Sequence, residues 1–310
     1  MVESVRNAAR LVAAPFIALL LAACGAGELP APPSFARTYV FGSSLSDTGN
    51  FCNLNPANCT AAPYAAPRYS NGPVFPELIA ARLGTTVAPS RTGGTNYAFA
   101  GARTGAVAGT TQSVPNMAQQ VEQYMTSVGY QSNPQYLYIV DAVGAGNDIL
   151  DGVTLAGGNP NTAVLNNTIT NVVMAIQRLY ASGARHILVA NSTDVGRTPR
   201  AQALSATAVA SATQMSVQFN AALAQQIGVM RASLPGIRIY ELDVASLANE
   251  VSANPVMYGY TNVTQPCFND LLLTPTLCTA AAGYFFWDSF NPSASAHELA
   301  SQRALATLGR

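Results

Sequence analysis

Ser44 is the residue whose surroundings best suit nucleophilic chemistry. It stands where the apolar run Tyr39-Val-Phe41 breaks into Gly42-Ser-Ser-Leu-Ser-Asp47 and then Thr48-Gly-Asn50. An apolar strand ending in a small-residue turn presents a hydroxyl at the carboxyl edge of a buried sheet, where open α/β folds bind ligands. The same residue types are ordinary turn formers, so a plain loop hydroxyl is the competing reading. A serine nucleophile needs a base to take its proton, and the chain has two histidines, His186 and His297. His186 opens an apolar strand after Ser182-Gly-Ala-Arg185, which predicts the amino edge of the sheet and a structural role. His297 lies on a C-terminal helix, read either as a partly exposed helix residue or as a base.

The composition narrows what such a site could serve. With 310 residues, of which 49% are hydrophobic and 10% charged, the chain can bury one large core, and a single domain is expected. Formal net charge is zero and lysine is absent, so the basic surface of a nucleic-acid binder is missing. At the N-terminus, Arg6 and Arg10 precede the apolar run Leu11 to Ala23, which has the length of a signal peptide and not of a membrane span. The end of that run, Leu21-Ala-Ala-Cys24, is similar to the bacterial lipobox, which implies lipidation of Cys24 and membrane attachment through it. Plain cleavage and release is the alternative. Residues 25–34, with Pro30, Pro32 and Pro33, read as a stiff tether, leaving 35–310 as the folded domain. The remaining cysteines are even in number in an exported chain, and their spacing suggests Cys52 with Cys59 and Cys267 with Cys278. With so few histidines and no zinc-finger cysteine spacing, a metal site is not expected.

The elements that must position Ser44 alternate. Apolar strands are expected at Tyr39–Phe41, Tyr136–Val143, His186–Ala190 and Ile237–Leu242. Helical spacing covers Pro76–Leu83, Met117–Met125, Asn161–Ala181, about Gln202 to Arg231, and the C-terminus from Pro292. A short strand-like centre lies in the glycine-bounded stretch Gly93 to Gly105. Two irregular regions, Phe51 to Pro76 and Asn254 to Ala282, hold the cysteine pairs. The β-α order predicts an α/β fold with a central parallel sheet covered on both faces, a three-layer α/β/α sandwich. The turn Gly144-Ala-Gly-Asn-Asp148 after the second strand is a poor dinucleotide fingerprint, because Ile149 replaces its third glycine.

Five blocks in sequence order resemble the GDSL family of SGNH-type serine ester hydrolases, a flavodoxin-like fold. Phe41 to Asn50 matches the nucleophile block, and Arg68-Tyr-Ser-Asn-Gly-Pro-Val-Phe-Pro76 matches a segment common in bacterial members. Asn96-Tyr-Ala-Phe-Ala-Gly-Ala102 matches the glycine block, Gly146-Asn-Asp148 the asparagine block, and Phe286-Trp-Asp-Ser-Phe-Asn-Pro292 the acid-histidine block. The resemblance implies Ser44 as nucleophile, an oxyanion hole from the Ser44 and Gly101 N–H groups and the Asn147 amide, and Asp288 orienting a base. It implies a lipid or other small ester as substrate and no cofactor. Ser43 stands where the family name has Asp, and Ala100 where many members have glycine. Asn291 occupies the position of the family histidine and cannot act as a general base near neutral pH. It has a local reading too, as an N-cap ahead of Pro292, and His297, six residues on, is the substitute base to weigh. Three readings stand: an exported esterase or lipase impaired at Asn291, a pseudo-hydrolase that binds an acylated lipid or glycan, and a structural lipoprotein. Family precedent points to the outer membrane, the periplasm or the exterior.

Overall fold

The computed structural model describes residues 33–310. The signal segment, Cys24 and all of the tether except its last two residues lie outside the described part.

Four parallel strands form the central sheet: β1 (Thr38–Phe41), β2 (Leu137–Asp141), β3 (His186–Ala190) and β4 (Arg238–Leu242), in that spatial order. Asn96 adds a parallel bridge on the outer side of β1, where Val40 donates to Thr95 O and accepts from Tyr97 N. The spatial order is therefore the segment around Asn96, then β1, β2, β3 and β4. The chain winds one way from β1 and then the other, and β1 and β2 flank the reversal, the crevice where doubly wound sheets place ligands.

The strand sequences are apolar throughout because both faces are covered. Tyr39, Phe41, Tyr138, Val140, Ile187 and Val189 face one core layer. Against them pack α3 (Met117–Ser127), α4 (Ala145–Leu155), α5 (Thr162–Ser182) and α7 (Ala206–Ser233). The alternate residues Val40, Leu137, Ile139, Leu188 and Leu242 face α2 (Phe75–Arg82), α8 (Val244–Ala253) and α9 (Ala294–Thr307). The period of two along each strand thus sorts one continuous run into two cores. Two short helices, α1 (Asn50–Leu54) and α6 (Pro199–Gln202), complete the helical set named here.

Several elements differ from the sequence expectation. Gly144-Ala-Gly-Asn-Asp148 does not stay a turn: it runs into α4, which puts Asn147 on that helix's first turn. Glycines that signal a break in sequence are here small residues at a crowded helix start, where a Cβ on Gly146 would sit 3.2 Å from the Phe290 ring. The second irregular region contains β5 (Asn262–Pro266), β6 (Phe268–Asn269) and β7 (Thr276–Leu277), and β5 pairs in parallel with β8 (Tyr284–Phe286). Their polar sequences carry no alternation because little of this excursion is buried. Both disulfides are formed as spaced, Cys52–Cys59 and Cys267–Cys278. The start of α9 also shifts. Ser293 occupies its cap position and the helix begins at Ala294, so Asn291 is not the N-cap and Pro292 is not the first helical residue.

Candidate active site

At the end of β1 the ladder is continued by a side chain. Gln120, on the buried face of α3, accepts from Gly42 N at 2.8 Å and donates to Gly42 O at 3.0 Å. No side chain fits at residue 42 itself, since a Cβ there would lie 2.6 Å from the Asp141 Cβ. Beyond it the chain makes one tight turn, with Ser46 N and Asp47 N both donating to Ser43 O. Ser44 stands on this turn, 6% exposed.

Asp47 fixes the turn. Its Oδ1 accepts from Gly49 N and Asn50 N, both at 2.7 Å, and its Oδ2 from Phe51 N at 3.0 Å and Ala100 N at 2.8 Å. The last of these ties the nucleophile block to the glycine block 53 residues away. Burial pushes the Asp47 carboxyl above its ordinary range, and the four N–H groups pull against that. Asn96 and Asn50 add a second set of ties: Asn96 Nδ2 donates to Ser46 O at 2.6 Å, and Asn50 Nδ2 to Asn96 O and Ala98 O. Asp141, fully buried at the end of β2, accepts from the Ser46 hydroxyl at 2.7 Å and Val143 N at 3.0 Å. Burial pushes it up to about 6.

Ser44 Oγ donates to Asn291 Oδ1 at 2.6 Å, and Asn291 Nδ2 donates to Asp288 Oδ2 at 2.8 Å. An ionised carboxylate only accepts, so the amide can face Asp288 only through its nitrogen, which turns its oxygen to Ser44. Asp288 folds its own turn, with Oδ1 accepting from Phe290 N at 2.8 Å and Asn291 N at 2.6 Å. Trp287 N donates to Asn291 O at 2.8 Å and closes it. Tyr64, from the first irregular region, donates its hydroxyl to Asp288 Oδ2 at 2.9 Å. Burial raises the Asp288 carboxyl, opposed mainly by the Asn291 backbone and side-chain donors.

The remaining residues singled out in sequence are distributed as follows. Asn147 is half-buried and donates one amide hydrogen to Ala102 O at 2.8 Å. Gly101 is exposed with φ +76°, a conformation that favours glycine, and a Cβ added there meets nothing within 4 Å. Gly144 ties the three stretches together: an added Cβ would lie 3.6 Å from both Ala102 O and Ser43 Cβ. Asp148 turns away from solvent onto Thr104 and Thr168, and burial pushes it up to about 7. His186 is at the amino end of β3, with Nδ1 at 2.9 Å from the Tyr240 hydroxyl, and is far in the sheet from the Ser44 edge.

His297 is not partly exposed; it is buried, because α9 packs that face on α2. Its Nδ1 accepts from Phe75 N at 3.2 Å, its ring stacks on Phe75, and its Nε2 has no hydrogen-bond partner among the described residues. Desolvation drives it down to about 3. A folded-state value below the unfolded one means its contribution is complete above about pH 6.5 and is lost as pH falls toward 3. Asp148 has the opposite sign: its stability is present below about pH 4 and lost as pH rises through about 7. His297→Asn keeps an acceptor for Phe75 N and removes the titration. Its unfolding free energy is therefore expected to fall less between pH 7 and pH 4 than that of the parent, by up to a few kcal/mol in urea titrations. Equal losses in the two proteins would contradict the assignment.

A cavity of about 350 Å³ opens beside these residues. Leu45, Gly146, Phe290 and Pro292, each adjacent in sequence to one of Ser44, Asn147 and Asn291, line it together with Phe75 and Phe285. Its size is in the range of small-molecule pockets, roughly 300–1,000 Å³.

Gln120, Tyr64 and Asp47 were not legible as site residues. Gln120 gave a faint signal, a polar residue on the apolar face set by Met117, Val121 and Tyr124. Asp47 read only as a turn former, and Tyr64 lies where no periodicity exists.

Residues 39–304 match the family model for GDSL-like Lipase/Acylhydrolase. The chain is 24% identical to GDSL esterase/lipase At5g42170 of Arabidopsis thaliana over 91% of its own length and 88% of that protein. It is 24% identical to GDSL esterase/lipase At1g74460 over 84% of both chains, and 25% identical to GDSL esterase/lipase At5g63170 over 88% and 89%, both also from Arabidopsis thaliana.

Proposed function

The chain belongs to the GDSL-like lipase/acylhydrolase family, and from that premise we propose that it is an exported ester hydrolase whose acyl-transfer site keeps its shape but lacks its proton acceptor. The observation that carries this is the hydrogen-bonded series from Ser44 through Asn291 to Asp288. In this reading Ser44 Oγ attacks the ester carbonyl. The oxyanion is met by the Ser44 and Gly101 N–H groups and the second amide hydrogen of Asn147, donors that are worth a few kcal/mol each when pre-aimed. Attack releases the serine proton, and because the Asn291 carbonyl oxygen is far too weak a base to hold it, the proton passes to solvent water and the departing alkoxide takes one back from water. Turnover is slow for that reason, and it draws on the oxyanion hole and on binding alone.

The same geometry supports a second reading, a pseudo-hydrolase that binds an acylated lipid or glycan. Asn291 satisfies both Ser44 and the buried Asp288, so the site is stable without a histidine. An assay of the full chain against short p-nitrophenyl esters, beside Ser44→Ala, tests the first reading. A small Ser44-dependent rate is expected. A fast parent whose rate disappears in Ser44→Ala would refute the role given to Asn291, and no difference from Ser44→Ala would favour the pseudo-hydrolase.

Two disulfides fit an exported protein. Within this proposal residues 1–23 are removed, Cys24 is lipidated, and residues 35–310 act as one domain held to an outer membrane. The mass of the mature N-terminus reads this directly.

A further inference from the structure

The excursion between α8 and α9 serves two surfaces. Val263, Thr264 and Gln265 of β5, with Phe285 and Phe286 of β8, wall the cavity beside Ser44. The loop closed by Cys267–Cys278 carries Leu271, Leu272, Leu273 and Leu277 on its outside, with Leu273 fully exposed and the others about half. β6 and β7 are two residues each, too short to bury these side chains against one another. The single charged residue of the loop points the other way: Asp270 accepts from Ser289 N at 2.9 Å and Ser289 Oγ at 3.0 Å. That pair of bonds holds the loop against the Asp288–Asn291 turn with its leucines outward. Clustered exposed leucines mark a surface that meets an apolar phase.

We propose that this leucine loop inserts into a neutral lipid–water interface and seats the cavity against the surface from which an ester lipid is drawn. The assignment rests on the ester-hydrolase reading for its purpose, and on the loop itself for the contact. The leucines project from a covalently closed tip with Leu273 fully exposed, which suits a fluid phase that closes around them. Residues 267–278 carry no basic side chain and the formal net charge of the chain is zero, so attraction comes from apolar burial and not from anionic headgroups.

The chain has one tryptophan, Trp287, and it is buried. A tryptophan placed at the tip therefore reports on the loop. Leu273→Trp in the full chain is expected to shift its emission to the blue on phosphatidylcholine vesicles and to be quenched when their acyl chains are brominated. The parent, and Val217→Trp on the exposed side of α7, are expected to stay unchanged, and the shift is expected to persist in high salt. Adding Leu271→Asp and Leu272→Asp to Leu273→Trp should lower the vesicle partition coefficient about tenfold or more, from the apolar area withdrawn. Absence of a shift, an equal shift in Val217→Trp, or binding that requires phosphatidylglycerol and vanishes in salt would each overturn the proposal. Hydrolysis of soluble short esters does not pass through the loop, so a failed esterase assay with an intact blue shift would sink the enzymatic reading alone.

Discussion

Replacing Asn291 with histidine is expected to raise Ser44-dependent hydrolysis of a short p-nitrophenyl ester by roughly 10⁴- to 10⁶-fold, the upper end being about what is lost when the triad base is removed from a serine hydrolase. The expectation follows from what position 291 already does. Its side chain accepts from Ser44 and donates to Asp288, the two bonds that an imidazole makes when Nδ1–H faces the acid and Nε2 faces the serine. The backbone that delivers the side chain is held by Asp288 Oδ1 and by Trp287 N, and neither bond involves the substituted atoms. An imidazole reaches farther from Cβ than a carboxamide, so Ser44 Oγ must swing away from its present 2.6 Å contact. That adjustment sets the lower end of the range. Steady-state rates of Asn291→His with and without Ser44→Ala check the result. A variant no faster than the parent, with its fold intact by circular dichroism, would mean that Ser44, Asn147 and Asp288 are not a working constellation.

The second large effect concerns stability. Asp47→Ala is expected to lower the unfolding free energy by roughly 3–5 kcal/mol in urea titrations, the cost of leaving several buried N–H donors without an acceptor at about 1–3 kcal/mol for each that finds no other partner. Four backbone N–H groups converge on that carboxylate, and the side chain is fully buried, so water cannot replace it. Three of the donors belong to the start of α1 and the fourth is Ala100 N, next to Gly101. The damage therefore spreads from the turn that carries Ser44 to the opposite wall of the site. Asp47→Asn should lose less, since one oxygen still accepts while its NH₂ faces two donors. A loss below about 1 kcal/mol in Asp47→Ala would show that the donors find other partners.

The fold was largely readable because both faces of the sheet are buried. Each strand is a short, nearly unbroken apolar run, and the long helices are amphipathic or alanine-rich, so the β-α alternation survives in one sequence. Ser44 was readable for a related reason: an apolar run that breaks into Gly-Ser-Ser tends to end its strand there, although the same residues also make an ordinary loop. Asp47 was half readable. Its turn chemistry is local and visible, whereas its bond to Ala100 is a property of tertiary structure. Asn147 was placed on a turn because glycine punctuates most sequences, and only packing against Phe290 and Val195 shows why glycine starts a helix there. Tyr64 and Asp270 approach the Asp288 turn from regions whose course is set by disulfides and individual side-chain bonds. No periodicity marks such residues. The burial of His297 is not visible in sequence, because the first turn of α9 is weakly patterned and α2, which covers it, is distant in sequence.

The fit of Asn291 between Ser44 and Asp288 also has a meaning at the level of the gene. Asparagine and histidine codons differ by a single nucleotide, at the first position. Because the acid, the serine and the turn that presents residue 291 all remain bonded around the amide, no second change stands between this chain and a histidine-bearing one. A gene of this kind is one substitution from a histidine-bearing form, and Asn291→His makes that substitution.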